Sequence, residues 1–146
     1  MKVLCNERWT QRAFENLLLN ALKYTPEGGK VEIEVVPSAA EEAVEVIFRD
    51  NGIGIFPEDL PKIFEPFTRG RNAAGEKGIG LGLSLVKEVV DLHGAKIVVE
   101  SAPGKGSRFS IRFPVRRTAG NEAGTAEELT NNSHTRNRPI TTLALR

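Results

Sequence analysis

The stretch "GEKGIGLGLSLVKEVV", residues 75–90, places four glycines at the start of an apolar run that has helical spacing. Glycine in a helix interior costs about 1 kcal/mol relative to alanine, so this cluster indicates that the backbone must approach another group closely. Glycines before a helix N-terminus let backbone N–H groups converge on an anion, and the helix dipole favours the same charge. The stretch therefore predicts a phosphate-binding turn followed by a helix that ends near His93 and Gly94.

The spacing of these glycines excludes two common phosphate loops. A P-loop requires Lys and then Ser or Thr after its last glycine; Gly70 and Gly75 have the right separation, but Glu76 follows them. A dinucleotide or protein-kinase loop, G-x-G-x-x-G, requires a glycine at the position of Leu83. The predicted phosphate-binding turn is therefore of another type.

The loop around these glycines carries basic side chains at Arg69, Arg71 and Lys77. Cations in a glycine-rich loop are typical of a mobile lid over a polyphosphate, because they face its negative charge. A flexible surface loop would explain each residue by itself, but it explains the combined pattern poorly.

The first predicted helix begins after a cap at Asn6 and runs to Tyr24. Its apolar face comprises Phe14, Leu17, Leu18, Ala21 and Leu22. Another face carries Asn16, Asn20 and Lys23. Asparagine is a weak helix former, so it is an unusual choice for an ordinary exposed face. The stripe is either a solvated surface or, because amide oxygens suit Mg²⁺ when phosphates supply the charge, a site for Mg²⁺ and phosphate.

The segment "RDNGIGI", residues 49–55, follows a predicted strand. One interpretation is a plain strand-to-turn junction, where Asp, Asn and Gly are common. The other gives Asp50 a binding role, because a carboxylate at the end of a buried strand can accept a hydrogen bond from an exocyclic amino group such as adenine N6. Gly52 and Gly54 would then let a flat base approach the backbone.

The remaining segments predict an α+β sandwich. Four of them have strand patterns, residues 30–37, 43–50, 95–101 and 107–114, and residues 2–5 read as a short edge strand. Val31, Ile33 and Val35 share one face of the first of these. Residues 57–64 read as a short helix or turn. We therefore expect a mixed, mostly antiparallel five-stranded sheet covered on one face by three helices.

One domain is expected over residues 1–114, followed by a tail over residues 115–146. The tail contains no Phe, Trp or Tyr and shows no sustained periodicity. It is therefore predicted to be disordered, apart from a short helix around residues 124–130.

Composition excludes several other classes of function. The chain has 146 residues, with 20 basic and 19 acidic side chains, and this balance does not favour nucleic acid as a partner. Its single cysteine cannot form an internal disulfide, and no Cys/His cluster indicates zinc. No apolar run reaches membrane-spanning length. A cytoplasmic location is expected, with any inner-membrane anchor of a parent protein lying outside this chain.

Five motifs occur in order along the chain: "ENLLLNALKYTPEGG", "DNGIGI", "IFEPFTRG", "GEKGIGLGLSLVKEVVDLHGAKIVVES" and "GKGSRFSIRFP". They resemble the N, G1, F, G2 and G3 boxes of the catalytic ATP-binding domain of two-component sensor histidine kinases, over about residues 1–114. The resemblance implies the Bergerat ATP-binding fold, with ATP and Mg²⁺ as cofactors. The F box, with Phe64 and Phe67, points to the histidine-kinase branch and implies that these residues hold the lid base and a partner-facing surface.

The resemblance also implies residue roles at the phosphate end of the site. Asn20 would bind Mg²⁺ with Asn16 in support, Lys23 would contact phosphate, and Asn20 and Lys23 would be the catalytic residues. The lid hinge, the phosphate cradle and the lid cations would be Gly78, Gly80, Gly82, Arg69, Arg71 and Lys77.

At the base end, the resemblance implies that Tyr24 lies against adenine. Asp50 would accept a hydrogen bond from adenine N6, directly and through water. The remaining pocket residues implied are Gly52, Gly54, Ile55, Leu81, Leu83 and the segment from Lys105 to Ser107.

The resemblance implies transfer of the ATP γ-phosphate to a histidine on a separate dimerisation domain, and from there to a response regulator. Neither His93, at a helix end, nor His134, in the tail, fits that acceptor. Nothing precedes Met1 here, so this chain is not expected to autophosphorylate alone. Two other functions stay open: a serine kinase of the anti-sigma-factor type, whose members usually lack the F box and long lid, and a non-enzymatic adenine-nucleotide-binding module.

Overall fold

Helix α1 begins where the sequence predicts its cap. A computed structural model describes residues 2–70, 80–115 and 141–144, and its first elements are β1 (Lys2–Cys5) and α1 (Glu7–Tyr24). The Asn6 side chain accepts a hydrogen bond from the Trp9 N–H at 3.2 Å, satisfying a donor that the first helical turn leaves free. Pro26 follows the helix closely and disfavours helical backbone at the residue before it.

Four strands form one antiparallel sheet: β2 (Val31–Ser38), β3 (Ala43–Asp50), β4 (Lys96–Ala102) and β5 (Gly106–Pro114). Their order is β2-β3-β5-β4, so β3 and β5 lie side by side at the centre. Strand β1 meets this sheet at one bridge, between Val3 and Val115. The predicted α+β class is confirmed. The prediction of a single mixed five-stranded sheet is wrong for the described residues, because β1 pairs along its length with β6 (Thr141–Ala144) instead.

Two α-helices, rather than the predicted three, lie against one face of the sheet in the described part of the chain. Helix α2 spans Gly82–Leu92, and Gly94 follows it with a positive φ of 60°. The third predicted helix, over residues 57–64, is a single 3₁₀ turn at Leu60–Lys62. Pro61 in this turn has no backbone N–H and cannot sit in the interior of a longer helix.

The hydrophobic core fills the space between the helices and the sheet. Leu17 of α1, Val86 of α2 and Ile111 of β5 are at most 2% exposed. The Phe14 ring meets the Phe48 ring at 5.6 Å and the Phe113 ring at 6.1 Å between centroids. These contacts fix β3 beneath α1, and with it the end of β3 that carries Asp50.

Several side chains on the apolar faces that the sequence predicts are exposed to solvent. Ile33 and Val35 pair in register with Phe48 and Val46, so they do project from the helix-facing side of the sheet. They are nevertheless 51% and 44% exposed, because β2 is the edge strand and α1 packs over β3. Leu22, predicted on the apolar face of α1, is likewise 55% exposed.

The C-terminal segment contains one strand that the sequence does not predict. Residues Thr141–Ala144 form β6, which pairs antiparallel with β1 in the register Lys2 to Ala144. The short helix predicted around residues 124–130 lies outside the described residues. Strand β5 ends at Pro114, and the domain boundary there stays a prediction.

His93 joins the end of α2 to the start of α1. Its Nε2 accepts a hydrogen bond from the Asn6 N–H at 2.9 Å, and its Nδ1 donates to the Val89 carbonyl oxygen at 2.6 Å. The ring packs edge-on against Phe113, with 6.3 Å between centroids. Both ring nitrogens are engaged in this structural link between the two helices.

Candidate functional site

A cavity of about 390 Å³ opens between the two helices and the adjoining ends of β3 and β5. Most of the predicted site residues lie on it, although they come from widely separated segments of the chain. These are Asn16, Asn20, Lys23, Tyr24, Asp50, Gly54, Ile55, Arg69, Gly80, Leu81, Gly82, Leu83 and Ser107.

Asp50 is the half-buried carboxylate of this cavity. Its Oδ1 accepts a hydrogen bond from the Gly52 N–H at 2.9 Å, and the Ser107 N–H also donates to the carboxylate. Burial raises the pKa of Asp50, and the hydrogen bonds from these two backbone N–H groups offset the rise only in part. The cavity therefore holds a strong acceptor that is incompletely solvated.

Two glycines let the loop after β3 pack closely against the turn between β4 and β5. Gly54 has φ +68°, and a Cβ there would lie 1.9 Å from the Ala102 carbonyl oxygen. Gly106 has φ +78°, and a Cβ there would lie 1.9 Å from the Asp50 carbonyl oxygen. Any side chain at either position would force these backbones apart, and Asp50 would move with them.

The opposite end of the cavity lies where α2 begins and faces α1. Asn16 Nδ2 donates to the Arg12 carbonyl oxygen at 2.8 Å, which leaves the amide oxygen of Asn16 for another partner. That oxygen lies 3.0 Å from the position that a Cβ on Gly82 would occupy, so glycine keeps this space open. Among the described residues, no side chain caps the start of α2, so N–H groups of its first turn are left for a ligand.

These groups fit a magnesium ion that is held mainly by a ligand's phosphates. Across residues 2–70 and 80–115, no three His, Cys, Asp or Glu side chains cluster to hold a metal by themselves. The amide oxygens of Asn16 and Asn20 are hard, neutral ligands, which suit Mg²⁺ when phosphates and water complete the coordination.

Lys23 and Tyr24 lie together at the end of α1. The Lys23 ammonium sits 5.0 Å from the centroid of the Tyr24 ring, within the range of a cation–π contact. Both residues line the cavity. That Lys23 contacts a phosphate, and that Tyr24 lies against a base, both stay predictions.

The two described ends of the lid segment are joined by one hydrogen bond. The Phe67 N–H donates to the Gly80 carbonyl oxygen at 3.0 Å, which holds these two residues next to each other. Arg69, two residues after Phe67, lines the cavity. Phe67 itself is 74% exposed and has a positive φ of 63°, which is unusual for an aromatic residue. Its predicted role on a partner-facing surface stays a prediction.

Six predicted site residues are not among the described residues that line the cavity: Gly52, Arg71, Lys77, Gly78, Lys105 and Gly106. Arg71, Lys77 and Gly78 lie outside the described residues, so their roles stay predictions. Gly52 is buried behind the cavity, where a Cβ would meet the Tyr24 carbonyl oxygen at 2.2 Å. Its small size therefore serves the packing of the loop onto the end of α1, rather than direct contact with a base.

The cavity also contains residues that the sequence interpretation did not include: Leu17, Ala21, Phe48, Ile53, Ile63, Thr68, Gly70 and Phe109. Phe48 precedes Asp50 by two residues and Phe109 follows Ser107 by two, so strand alternation places each pair on one face. That periodicity would have identified both rings. Lys105, in contrast, is exposed in the turn between β4 and β5 and does not line the cavity.

Residues 5–117 match the family described as "Histidine kinase-, DNA gyrase B-, and HSP90-like ATPase". The chain belongs to this ATPase family. Histidine protein kinase DivJ of Caulobacter vibrioides is 39% identical to this ATPase domain over 116 residues, which cover 79% of the chain and 19% of DivJ.

Solved structures of histidine kinases share the fold of this ATPase domain. The mycobacterial sensor histidine kinase MprB superposes with a TM-score of 0.72 at 34% identity, covering 78% of this chain and 77% of that one. Full-length ShkA in complex with AMPPNP superposes with a TM-score of 0.66 at 28% identity, covering 77% of this chain and 22% of ShkA.

The match is to the ATP-binding catalytic domain of sensor histidine kinases. The chain covers only part of curated relatives such as DivJ, between 17% and 32% of their length. Among its described helices, none is both long enough and apolar enough to cross a membrane.

The raised pKa of Asp50 predicts how the stability of this ATPase domain depends on pH. Since burial raises the folded-state pKa above the usual 3.8, ionising the carboxyl costs the folded state free energy. Relative to the Asp50→Asn variant, the unsubstituted chain should be most stable below the unfolded-state pKa. It should lose that advantage as pH rises through the folded-state pKa. Urea unfolding of both proteins across the acidic range measures this difference.

Glu58→Gln is the matched control, because Glu58 is exposed and does not line the cavity. It measures how the loss of one exposed carboxylate changes the pH dependence of stability. A stability difference between the unsubstituted chain and Asp50→Asn that stays constant across the acidic range would contradict the burial of this carboxyl.

Proposed function

We propose that this chain binds Mg·ATP in the cavity and presents the γ-phosphate to a histidine on a separate dimerisation domain, from which the phosphoryl group passes to a response regulator. The observation that carries the proposal is the pairing of a half-buried carboxylate at one end of the cavity with an uncapped helix N-terminus at the other. The cavity volume of about 390 Å³ lies in the range of small-molecule sites.

The base end supports recognition of adenine. Asp50 is an acceptor, and in its ionised state it has no proton to donate. An exocyclic amino group can donate to it, and the Phe48 and Phe109 rings behind it supply apolar surface for a flat base. Burial makes an unmatched carboxylate costly, so a donor on the ligand is strongly favoured over another acceptor.

The phosphate end supports binding of a triphosphate. The first turn of α2 directs N–H groups and the positive end of the helix dipole toward the cavity. Arg69 adds a cation from the lid side. Mg²⁺ held by the amide oxygens of Asn16 and Asn20 offsets negative charge on the phosphates.

A structural relative supports the same ligand class. ShkA was solved in complex with AMPPNP, and this chain superposes on it over 77% of its residues. AMPPNP has the base and the triphosphate-like chain of ATP, so a site of that kind matches both ends of the cavity described here.

The acceptor histidine is proposed to lie on another domain. His93 uses both ring nitrogens in hydrogen bonds to Asn6 and Val89, at the far ends of α1 and α2 from the cavity. In the transfer, a bond forms between the incoming imidazole nitrogen and the γ-phosphorus as the bond to ADP breaks. The part of this chain is to hold the triphosphate in line for that attack and to surround it with positive charge.

Calorimetric titration with Mg·ATP tests the proposed binding residues. Asp50→Asn should weaken ATP binding by about tenfold or more, because the amide offers one acceptor and no charge. Asn20→Ala should weaken Mg·ATP binding by a similar factor and leave adenosine binding within about twofold, because it acts at the phosphate end.

Gln11→Ala is the control for these titrations. Gln11 lies on α1 and bonds to Glu15 on the exposed side of the helix, so ATP affinity should not change. Failure of the unsubstituted chain to bind Mg·ATP, or equal affinity in Asp50→Asn, would contradict the proposed site.

Incubation with γ-labelled ATP tests the proposed reaction. The chain alone should acquire no acid-labile label of the kind that a phosphorylated histidine carries. The reason is that its only described histidine is held in structural hydrogen bonds. Addition of a histidine-bearing helical-hairpin domain should yield acid-labile label on that partner.

The same experiment separates this proposal from its alternatives. Label on a serine-bearing partner, stable in acid, would indicate an anti-sigma-type kinase instead. Acid-labile label on the isolated chain would contradict the assignment of the acceptor to another domain.

A further inference from the structure

Three hydrogen bonds meet at the hydroxyl group of Ser101, a residue of β4 outside the predicted site. Its Oγ lies 2.8 Å from the Ile55 nitrogen, 2.8 Å from the Gly106 carbonyl oxygen and 2.9 Å from the Ser107 Oγ. Ile55 belongs to the loop after β3, whereas Gly106 and Ser107 begin β5. Ser101 therefore connects the two segments that flank Asp50.

The sheet register explains why these groups meet. Asp50 on β3 pairs with Ser107 on β5, and Ser107 pairs with Ser101 on β4. Residues paired directly across neighbouring strands project from the same face of a sheet. One carboxylate and two hydroxyl groups thus stand in a row, and the first two line the cavity.

The chemistry of the three partners determines where the hydroxyl protons of Ser101 and Ser107 point. A serine hydroxyl has one proton to donate and two lone pairs to accept with. The Gly106 carbonyl oxygen can only accept, so it takes the Ser101 proton. The Ile55 N–H can only donate, so it occupies one lone pair of Ser101. The other lone pair then accepts the proton of Ser107.

We propose that Ser101 is a positioning residue that sets the base selectivity of the cavity by holding the Ser107 hydroxyl proton away from it. The inference rests on the proposed nucleotide site. With that proton held by Ser101, the Ser107 oxygen and the Asp50 carboxylate are both acceptors at the base end. An amino group at position 6 of a purine can donate to them, as in adenine. A carbonyl oxygen at that position, as in guanine, meets acceptors only.

The test is the ratio of ATP affinity to GTP affinity, measured by calorimetric titration in the presence of Mg²⁺. In Ser101→Ala the Ser107 hydroxyl is free to rotate and to donate into the cavity. We expect ATP binding to weaken about fivefold and the ATP-to-GTP affinity ratio to fall about tenfold. A tenfold change in this ratio corresponds to the loss of one to two ordinary hydrogen bonds. An unchanged ratio in the folded variant overturns the inference.

Ser110→Ala is the matched control. Ser110 is a buried serine of the same strand, β5, on the opposite face of the sheet, where its hydroxyl bonds to Glu45. Its loss should lower stability without changing the affinity ratio. If Ser101 had only a structural role, Ser101→Ala would weaken ATP and GTP binding by the same factor and leave the ratio unchanged. That result overturns the inference.

The Ser107→Ala background gives a second measurement. Without the Ser107 hydroxyl there is no proton to direct, so adding Ser101→Ala should change the ATP-to-GTP ratio by less than about twofold. A fall as large as in the unsubstituted background overturns the inference. Should Ser101→Ala fail to fold, Ser101→Cys replaces it; its thiol is a weak hydrogen-bonding group, and the same fall in ratio is expected.

The outcomes separate this inference from the proposed function. If the unsubstituted chain binds no nucleotide, the proposed function fails and the inference with it. If it binds ATP and GTP equally, or if Ser101→Ala keeps the preference for ATP, the nucleotide site stands and only the inference is overturned.

Discussion

The antiparallel pairing of β3 with β5 is the constraint on which the candidate site depends. It sets Asp50 opposite Ser107 at the end of the sheet that opens into the cavity. The Phe14 and Phe48 rings lock β3 under α1, so the carboxylate is held half-buried although its ionisation is thereby made costlier. Ionised Asp50 lowers the stability of the folded state, and it supplies the cavity with an acceptor for a hydrogen-bond donor on the ligand.

Much of the fold could be predicted because its signals are local. The cap at Asn6, the end of α1 at Tyr24 and the alternation of the four sheet strands are all readable from neighbouring residues. Whether another element covers a given face of a strand cannot be predicted from neighbouring residues. The alternation correctly gave the face of Ile33 and Val35, but their exposure depends on where α1 crosses the sheet. The pairing of β6 with β1 joins opposite ends of the chain, and nothing local specifies it.

The candidate site was predictable where a residue's type carried its chemistry, and less so where its role is to pack or to orient. Asp50, Asn16 and Asn20 lie on the cavity as the sequence indicates. Gly52 lies behind it, because the close approach to the Tyr24 carbonyl is a tertiary contact. Ser101 has no motif of its own, and its importance appears only once the strand register and its three partners are known.

The most direct measurement of the central claim is a crystal structure of this chain with Mg²⁺ and AMPPNP. The account predicts the 6-amino group of the base within hydrogen-bonding distance of the Asp50 carboxylate, and the phosphates between the start of α2 and the amides of Asn16 and Asn20. A nucleotide bound outside this cavity, or one that leaves Asp50 without contact to the base, would contradict it.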